Sequence, residues 1–491
     1  MAIAFAVAMA LAVRVEAADT GRPTLNPQEQ AVYLLDRLGY GPKPGDVARV
    51  VATGPDAYID EQLRPERIAE PERLVAELAA LPTLHMTPVE LFREYGPPRP
   101  APGERRDPEQ VKAARQRAQI IVRELVTATI DRAVDSNRQL QEVMTEFWFN
   151  HFNVFATKGL VHLWVGSFEE TAIRPHALGK FRDLLEATAR HPAMLFYLDN
   201  WLNVAPNGDN GINENYAREL MELHTLGVDG GYSQADVVAL AHILTGWGVP
   251  RPALRRDMPV DPSAFYFNPL KHDASDQRFL GHVIKAGGIE EGELALDILA
   301  RSPATAHHIA FELVQFFVAD QPDPAYVDAV AKKFLASGGD IRETLRALFH
   351  DPRFWNGAGA ARKFKTPYQY VVSAVRLSGA TLRQPLMLQA TLMQMGMPLY
   401  RYMTPEGYKN TREGWLNSDA MTKRLDFATR LAAGELLGEE TGNPGNAPLD
   451  PAALAVAYAA PLSPATRQAI DAAPERLKAA MLLASPDFMA R

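Results

Sequence analysis

One short segment concentrates side chains that can do acid–base chemistry. Residues 213–227 read Asn-Glu-Asn-Tyr-Ala-Arg-Glu-Leu-Met-Glu-Leu-His-Thr-Leu-Gly. At about 100° per residue, five polar side chains share one face of a helix: Glu214, Asn215, Arg218, Glu219 and Glu222. An arginine in such a face can hold one carboxylate ionised, while crowding pushes a neighbouring carboxyl group towards protonation. The segment therefore predicts one wall of a cleft that supplies an acid and a base.

The same pattern has a purely structural interpretation. Glu214 and Arg218, like Arg218 and Glu222, are spaced at i and i+4, where opposite charges support a solvent-exposed helix. Periodicity alone does not distinguish a solvated face from the wall of a cleft. His224 falls outside the polar face.

A second segment combines a polar arc with a histidine on the opposite side. Four side chains make up the arc: Glu142, Glu146, Asn150 and Asn153. His151 falls on the apolar face near Phe147, where a histidine is typical of a hydrogen-bonded core. A catalytic role for His151 therefore requires a carboxylate that arrives from another helix.

Two further positions can contribute to a site. His272 and Asp273 lie in a predicted loop, from which they can point into a cleft between rigid helices. The alternative is an ordinary turn, which Asp favours. Trp247 follows the helix that begins at Ser233, and its large amphipathic ring fits either a pocket wall or the core.

Composition excludes several classes of function. The 491-residue chain has 51 Lys+Arg against 59 Asp+Glu, so no excess of positive charge indicates DNA or RNA binding. The chain has no cysteine, which rules out disulfides, thiolate metal sites and cysteine nucleophiles. The sequence patterns of serine esterases, zinc proteases, P-loop proteins and dinucleotide-binding proteins are also missing.

The N-terminus predicts export. The chain is apolar from Ala2 to Val13, and Val15-Glu16-Ala17 has the small-residue pattern of a signal-peptidase site. We therefore expect a signal peptide over residues 1–18 and a periplasmic or secreted protein, the alternative being a short N-terminal helix. No later stretch is long and apolar enough to predict a transmembrane segment in the mature chain.

Helical signals dominate the rest of the chain, which predicts an all-α, multi-helix globular body. A small β-hairpin insertion is expected near residues 264–284, with Leu160 to Val165 as a weaker strand candidate. The expected organisation is an N-terminal helical region (19–95), a Pro-rich loop (96–107), a main helical domain (108–440) and a C-terminal helical cap (441–491).

Several short motifs occur in an order and spacing that resemble a large bacterial family. Besides residues 213–247 they include Phe147-Trp148 with His151-Phe152, His191-Pro192-Ala193-Met194-Leu195, His272-Asp273, Ser302-Pro303-Ala304-Thr305-Ala306, Lys365-Thr366-Pro367, Pro405-Glu406-Gly407-Tyr408 and Trp415-Leu416-Asn417. From about residue 34 to residue 424, the chain resembles the exported helical family catalogued as domain of unknown function number eighteen hundred.

The resemblance implies an all-α, exported bacterial protein, often encoded beside a second exported protein of sulfatase-like type. It implies no established activity. Seven polar residues occupy motif positions of the family: His151, Glu214, Asn215, Arg218, Glu219, His272 and Asp273. The position of His224 often carries Phe in the family and that of His242 usually Arg, so neither histidine is expected to be essential.

The first functional hypothesis is an exported hydrolase that acts on a saccharide or a cell-envelope polymer. Its catalytic residues would be Glu214, Arg218, Glu219, Glu222 and His151. Its substrate-binding residues would be Asn215, Trp148, Trp247, His272 and Asp273. His151 and His272 would assist proton transfer or bind a metal ion, although the sequence defines no metal-ligand set and no cofactor.

The second hypothesis is a non-enzymatic periplasmic partner or assembly protein. In that case the polar cluster is a buried network that fixes helix packing. The partners to be expected are an exported sulfatase-like protein and a polysaccharide.

Overall fold

The computed structural model describes residues 25–98, 107–206, 212–250, 260–358, 362–382, 384–436 and 447–491. The predicted signal peptide (1–18) and most of the predicted Pro-rich loop (96–107) lie outside the described residues.

Helices make up most of the described chain, which confirms the predicted all-α class. Those of the first half are α1 (Pro27–Arg37), α2 (Asp46–Thr53), α3 (Pro55–Gln62), α4 (Glu72–Ala79), α5 (Pro88–Tyr95), α6 (Pro108–Asp135), α7 (Gln139–His151), α8 (Val161–Ser167), α9 (Phe181–Arg190), α10 (Pro192–Tyr197), α11 (Asn215–Glu222) and α12 (Gln234–Ile243). A π-helical turn, Phe168–Ile173, continues α8.

The second half adds α13 (Ile289–Ala300), α14 (Pro303–Phe317), α15 (Pro324–Ala336), α16 (Ile341–His350), α17 (Pro367–Ser378), α18 (Pro385–Gln394), α19 (Arg412–Trp415), α20 (Ser418–Ala432), α21 (Pro451–Tyr458), α22 (Pro464–Ala472), α23 (Glu475–Leu483) and α24 (Pro486–Met489).

Many helices begin at a capping side chain followed by proline. Asn26 accepts hydrogen bonds from the backbone of Gln28 and Glu29, and the Glu29 side chain accepts from the backbone N–H of Asn26. Thr87 and Glu90 repeat this capping box at α5. The proline that follows the cap has no N–H to leave unpaired and is preorganised for a helix, so these short sequences set the helix starts.

The β insertion predicted near residues 264–284 is confirmed, and it contributes to two strand pairs rather than a single hairpin. Strand β1 (Trp247–Gly248) pairs with β2 (Tyr266–Phe267), and β3 (Gln277–Phe279) pairs with β4 (His282–Ile284), both antiparallel. The run from Arg278 to Ile284 is itself a hairpin, because Leu280 and Gly281 both adopt positive φ (46° and 80°) and form a two-residue turn. The suggested strand at 160–165 is instead part of α8.

A continuous apolar core runs from Ala31 to Met489. The long helix α6 packs against α8, α17 and α18, and α23 packs against α20. Near the C-terminus, Arg491 and Lys363 exchange two backbone hydrogen bonds of 2.8 and 3.1 Å. Across the described ranges, no helix combines the length and the apolar character needed to cross a bilayer.

Gly292 on α13 should tolerate a methyl group poorly. A Cβ at this position would lie 2.2 Å from Cζ2 of Trp247, whose ring is fully buried. We expect Gly292→Ala to lower the free energy of unfolding by about 2 kcal/mol, measured by urea denaturation, since a packed indole ring must move.

Gly166→Ala on α8 is the matched control. Its Cβ would meet Ile121 at an ordinary 3.7 Å, and alanine is the better helix former by about 1 kcal/mol. Equal effects of the two substitutions would contradict the packing described for Trp247.

Candidate functional site

A cavity of about 290 Å³ lies between α7, α14 and the segment 397–410. Its polar lining comprises Tyr40, Thr129, Glu142, Thr145, Glu146, Asn150, His151, Asn153, Glu169, Arg174, His308, Glu312, Gln315, Thr366, Tyr368, Tyr400, Glu406, Tyr408, Lys409 and Asn410. Its apolar lining includes Phe147, Phe149, Leu223, Phe316, Met397 and Leu399. Glu406 and Lys409 are exposed, so the cavity opens beside them.

The polar arc of α7 faces this cavity. Asn150 fixes the segment opposite by donating to the carbonyl of Tyr408 (2.9 Å) and accepting from its N–H (2.7 Å). Gly407, with φ of 70°, allows this close approach, because a Cβ there would lie 2.3 Å from the carbonyl oxygen of Asn150. Asn153 donates to the carbonyls of Tyr402 and Thr404. The arc therefore binds the segment 402–408 as well as lining the cavity.

Arg174 compensates the carboxylates at the inner end of the arc. Its Nη1 lies 2.8 Å from both carboxylate oxygens of Glu142, and its Nη2 lies 3.0 Å from Glu169. Its Nε lies 3.4 Å from Glu170, which also pairs with Arg132. Burial raises the pKa of Glu169 against the opposing charge of Arg174. The positive charge of one guanidinium therefore lies beside three carboxyl groups that are buried or half-buried.

Glu146, one helical turn from Glu142, has a different environment. Burial raises the pKa of its carboxyl to about 7, against the opposing effects of the Arg491 guanidinium and the Tyr40 hydroxyl. Its Oε2 is buried and finds no hydrogen-bond partner among the described residues. The protonated form is therefore favoured up to near-neutral pH.

His151 meets a carboxylate from another helix, as its functional role requires. Its Nδ1 lies 2.7 Å from Oε2 of Glu312 on α14, and its Nε2 faces the carbonyl of His224 at 3.2 Å. His308, one turn before Glu312, places Nε2 3.7 Å from Oε1 of Glu312 and 3.1 Å from the carbonyl of Leu223. Burial opposes ionisation of Glu312, but the adjacent His151 and His308 keep the pKa of Glu312 below its ordinary value.

His151 and His308 also contact backbone carbonyls at the C-terminal end of α11. The Leu223 carbonyl is at the C-cap of that helix and the His224 carbonyl just beyond it, where no intrahelical donors remain. His224 itself is 1 % exposed, and burial holds its pKa well below the ordinary range. The helix predicted to carry the site thus contributes backbone carbonyls to the cavity region.

The acidic face of α11 divides between a surface pair and the rim of the cavity. Arg218 pairs with Glu214 at 2.9 Å, and Gln234 bridges both side chains, which corresponds to the helix-supporting interpretation. Glu219 is half-buried, and its pKa is raised by burial and by the charges of Glu222 and Glu406. Glu406 lines the cavity, so Glu219 lies near its opening, although neither Glu219 nor Glu222 is part of the lining.

Three predicted substrate-binding residues have structural surroundings. The Asn215 side chain donates to the carbonyl of Leu198 (3.1 Å). Trp148 is fully buried and donates from Nε1 to the carbonyl of Ala177 (3.0 Å). Trp247 is fully buried against Phe265. None of the three lines the cavity.

His272 and Asp273 belong to a second polar cluster that anchors the β insertion. His272 contacts Glu291 at 2.9 Å through Nε2 and the carbonyl of Thr245 at 3.0 Å through Nδ1. Asp273 accepts from His242 at 2.6 Å. The structure therefore brings His151 to the cavity and Glu219 near its opening, and places His272 and Asp273 elsewhere.

Sequence reasoning missed Glu142, Glu146, Arg174, His308 and Glu312 as site residues. The polar arc of α7 was a signal for the first two, because it places carboxylates opposite an apolar face. His308 and Glu312 are i and i+4 on an otherwise apolar helix. Only the packing of α14 against α7 shows that both side chains line the cavity.

Glu146→Gln should change how stability depends on pH. The raised pKa means that the folded protein holds this proton more tightly than the unfolded chain, whose carboxyl has a pKa near 4.5. That stabilisation is complete below about pH 4.5 and is lost as the pH rises through about 7. From about pH 5 to 8 the variant should therefore gain about 2–3 kcal/mol in free energy of unfolding relative to the wild type.

Urea denaturation at a series of pH values measures this difference. Glu72→Gln, which changes an exposed glutamate on α4, serves as the control. Parallel curves for wild type and Glu146→Gln would show that Glu146 ionises as readily in the folded as in the unfolded protein.

The comparisons with known proteins agree with the motifs. Searches of curated proteins and of solved structures give no match. The model of the family described as Protein of unknown function (DUF1800) matches residues 33–490. The match covers nearly the whole chain and includes the segments that build the cavity. The chain therefore belongs to the DUF1800 family.

Proposed function

We propose that the protein is a hydrolase that cleaves glycosidic bonds of a saccharide or cell-envelope polymer in the cavity lined by α7. One observation carries the proposal. Glu142 and Glu146 stand one turn apart on the same helix face. Glu142 is paired with Arg174, whereas one buried carboxylate oxygen of Glu146 has no hydrogen-bond partner among the described residues. Environments that separate two carboxyl groups in this way define an acid and its ionised partner.

The proposed chemistry uses the two groups in sequence. Protonated Glu146 gives its proton to the glycosidic oxygen as the bond breaks, while the Glu142 carboxylate attacks the sugar carbon. Glu146, now ionised, then takes a proton from the water that hydrolyses the glycosyl ester. Residues at i and i+4 have Cβ atoms roughly 5–6 Å apart, a close spacing that suits direct attack better than placement of a water between the groups.

The rest of the cavity suits a sugar ring. Phe147, Phe316 and Tyr408 supply aromatic surface, and Asn150 and Gln315 supply amide groups for hydroxyls. Apolar walls with a few polar groups are typical of small-molecule sites. The opening beside Glu406 and Lys409 would admit the end of a longer polymer.

The proposed substrate class requires that the protein be exported. The apolar N-terminal segment and its small-residue site predict a signal peptide, and a periplasmic or secreted location would place the cavity among cell-envelope polymers. The exported sulfatase-like protein suggested by the family resemblance would be a partner in the same compartment.

A specific observation also favours the non-enzymatic alternative. Arg174 pairs with three glutamates, and Arg132 adds a second guanidinium to Glu170. Such a network can fix the packing of α6, α7 and the π-helical turn without any chemistry.

Assays of activity against a panel of polysaccharides and peptidoglycan distinguish a hydrolase from a purely structural network. Glu146→Gln and Glu142→Gln should each lower kcat about 100-fold or more, because proton transfer and covalent catalysis are lost. Glu72→Gln on exposed α4 should retain wild-type activity. The unfolding midpoint of each variant, measured in parallel, shows that the loss is not due to unfolding.

Two outcomes would count against the proposal. Loss of activity in Glu219→Gln with full activity in Glu146→Gln would move the chemistry to the rim of the cavity. Absence of activity in the wild type, together with strong destabilisation by Glu142→Gln, would identify the network as structural.

A further inference from the structure

We infer that His151, His308 and Glu312 form a binding site for a divalent transition-metal ion such as Zn²⁺. This inference goes beyond the proposed hydrolysis and does not rest on it, because Glu142 and Glu146 are not among the ligands. The three residues each offer one ligand atom, and these atoms lie within 4.8 Å of one another.

One of the two distances fits a bound metal ion, and the other is a direct hydrogen bond that must widen by a few tenths of an ångström to admit one. Nδ1 of His151 lies 2.7 Å from Oε2 of Glu312, and Nε2 of His308 lies 3.7 Å from Oε1 of the same carboxylate. Ligands at about 2.0–2.2 Å from zinc lie roughly 3–4 Å from one another in a tetrahedral site. Two imidazoles and one carboxylate form a ligand set that zinc and similar metals use in enzymes.

The His151 side chain is positioned before any metal ion binds. The His151 ring packs edge-on against Trp148 (5.4 Å) and Phe152 (4.5 Å), which restricts its rotation. Its Nε2 donates to the carbonyl of His224 (3.2 Å), which leaves Nδ1 as the nitrogen that faces Glu312. A backbone carbonyl behind the second ring nitrogen is the usual outer-shell partner of a metal-bound histidine.

His308 and Glu312 are i and i+4 on α14, so both project from one face of a single helix. Cation binding would replace the hydrogen bond from His308 Nε2 to the carbonyl of Leu223 (3.1 Å) and leave that oxygen beside the ion. Leu223 caps the C-terminus of α11, where the helix dipole is negative and favours positive charge.

The cavity gives such an ion an open side and a favourable field. His151, His308, Glu312 and Leu223 all line it, so coordination positions not occupied by protein face the cavity. The same lining carries Glu142, Glu169 and Glu406 against Arg174 and Lys409. Three protein ligands plus an open position is the arrangement of catalytic rather than structural zinc sites.

Calorimetric titration of the chelator-stripped full chain with ZnCl₂ tests the site. The wild type should bind one Zn²⁺ per chain, and His308→Ala and Glu312→Gln should each weaken binding about tenfold or more. Titration with Co²⁺ should give the visible absorption of a four-coordinate nitrogen–oxygen site, and both variants should lose it. Neither readout depends on a substrate or on hydrolysis.

His307→Ala is the matched control, because His307 neighbours His308 on α14 but points to solvent near Asp328. It should bind Zn²⁺ as the wild type does. Glu312→Gln preserves the size of the side chain and its capacity for hydrogen bonds. The site can therefore still be tested with this variant if His308→Ala fails to fold. A wild-type chain that binds no Zn²⁺, or equal affinity in wild type and Glu312→Gln, would overturn the inference.

Discussion

The burial of carboxylates around a single guanidinium is the constraint on which the site depends. Arg174 lies between Glu142, Glu169 and Glu170, all of which are largely withdrawn from water. Uncompensated burial of such charges costs several kcal/mol for each ion. The position of Arg174, immediately after the π-helical turn, therefore decides which glutamates pair with its guanidinium. Glu146 is not among them, and burial favours its protonated form.

Helix α7 connects this electrostatic arrangement to the fold. Its apolar side places Trp148 in the core and its polar side places Glu142, Glu146 and Asn150 in the cavity. The His151 ring lies between these two environments and reaches Glu312 on α14. Packing that holds α7 against its neighbours therefore also sets the positions of the proposed acid, its partner and the proposed metal ligands.

The helical fold could be predicted from the sequence, but the position of the cavity and the residues that line it could not. Helix starts such as Asn26 and Ser233 depend on side chains within three residues, so local sequence suffices to identify them. An arginine that holds one acid ionised beside a protonatable neighbour was expected for Arg218 on α11. The structure places Arg218 in a half-exposed surface pair and gives the corresponding arrangement to Arg174 and α7.

The reason lies in sequence separation. Arg174 is 32 residues from Glu142, and Glu312 is 161 residues from His151, so neither contact leaves a local pattern. The family motifs at Lys365-Thr366-Pro367 and Pro405-Glu406-Gly407-Tyr408 mark segments of the cavity wall without revealing what they face. The sequence was equally compatible with Trp247 in a pocket wall and in the core, and only its tertiary surroundings distinguish the two.

The protonation of Glu146 is the central claim, and infrared difference spectroscopy measures it directly. Spectra of the wild type minus Glu146→Gln, recorded across a pH series, isolate the carbonyl band of this one carboxylic acid. The account predicts that the band persists through mildly acidic pH and disappears with a midpoint at about pH 7. A midpoint near the ordinary glutamate value of 4.5 would contradict it.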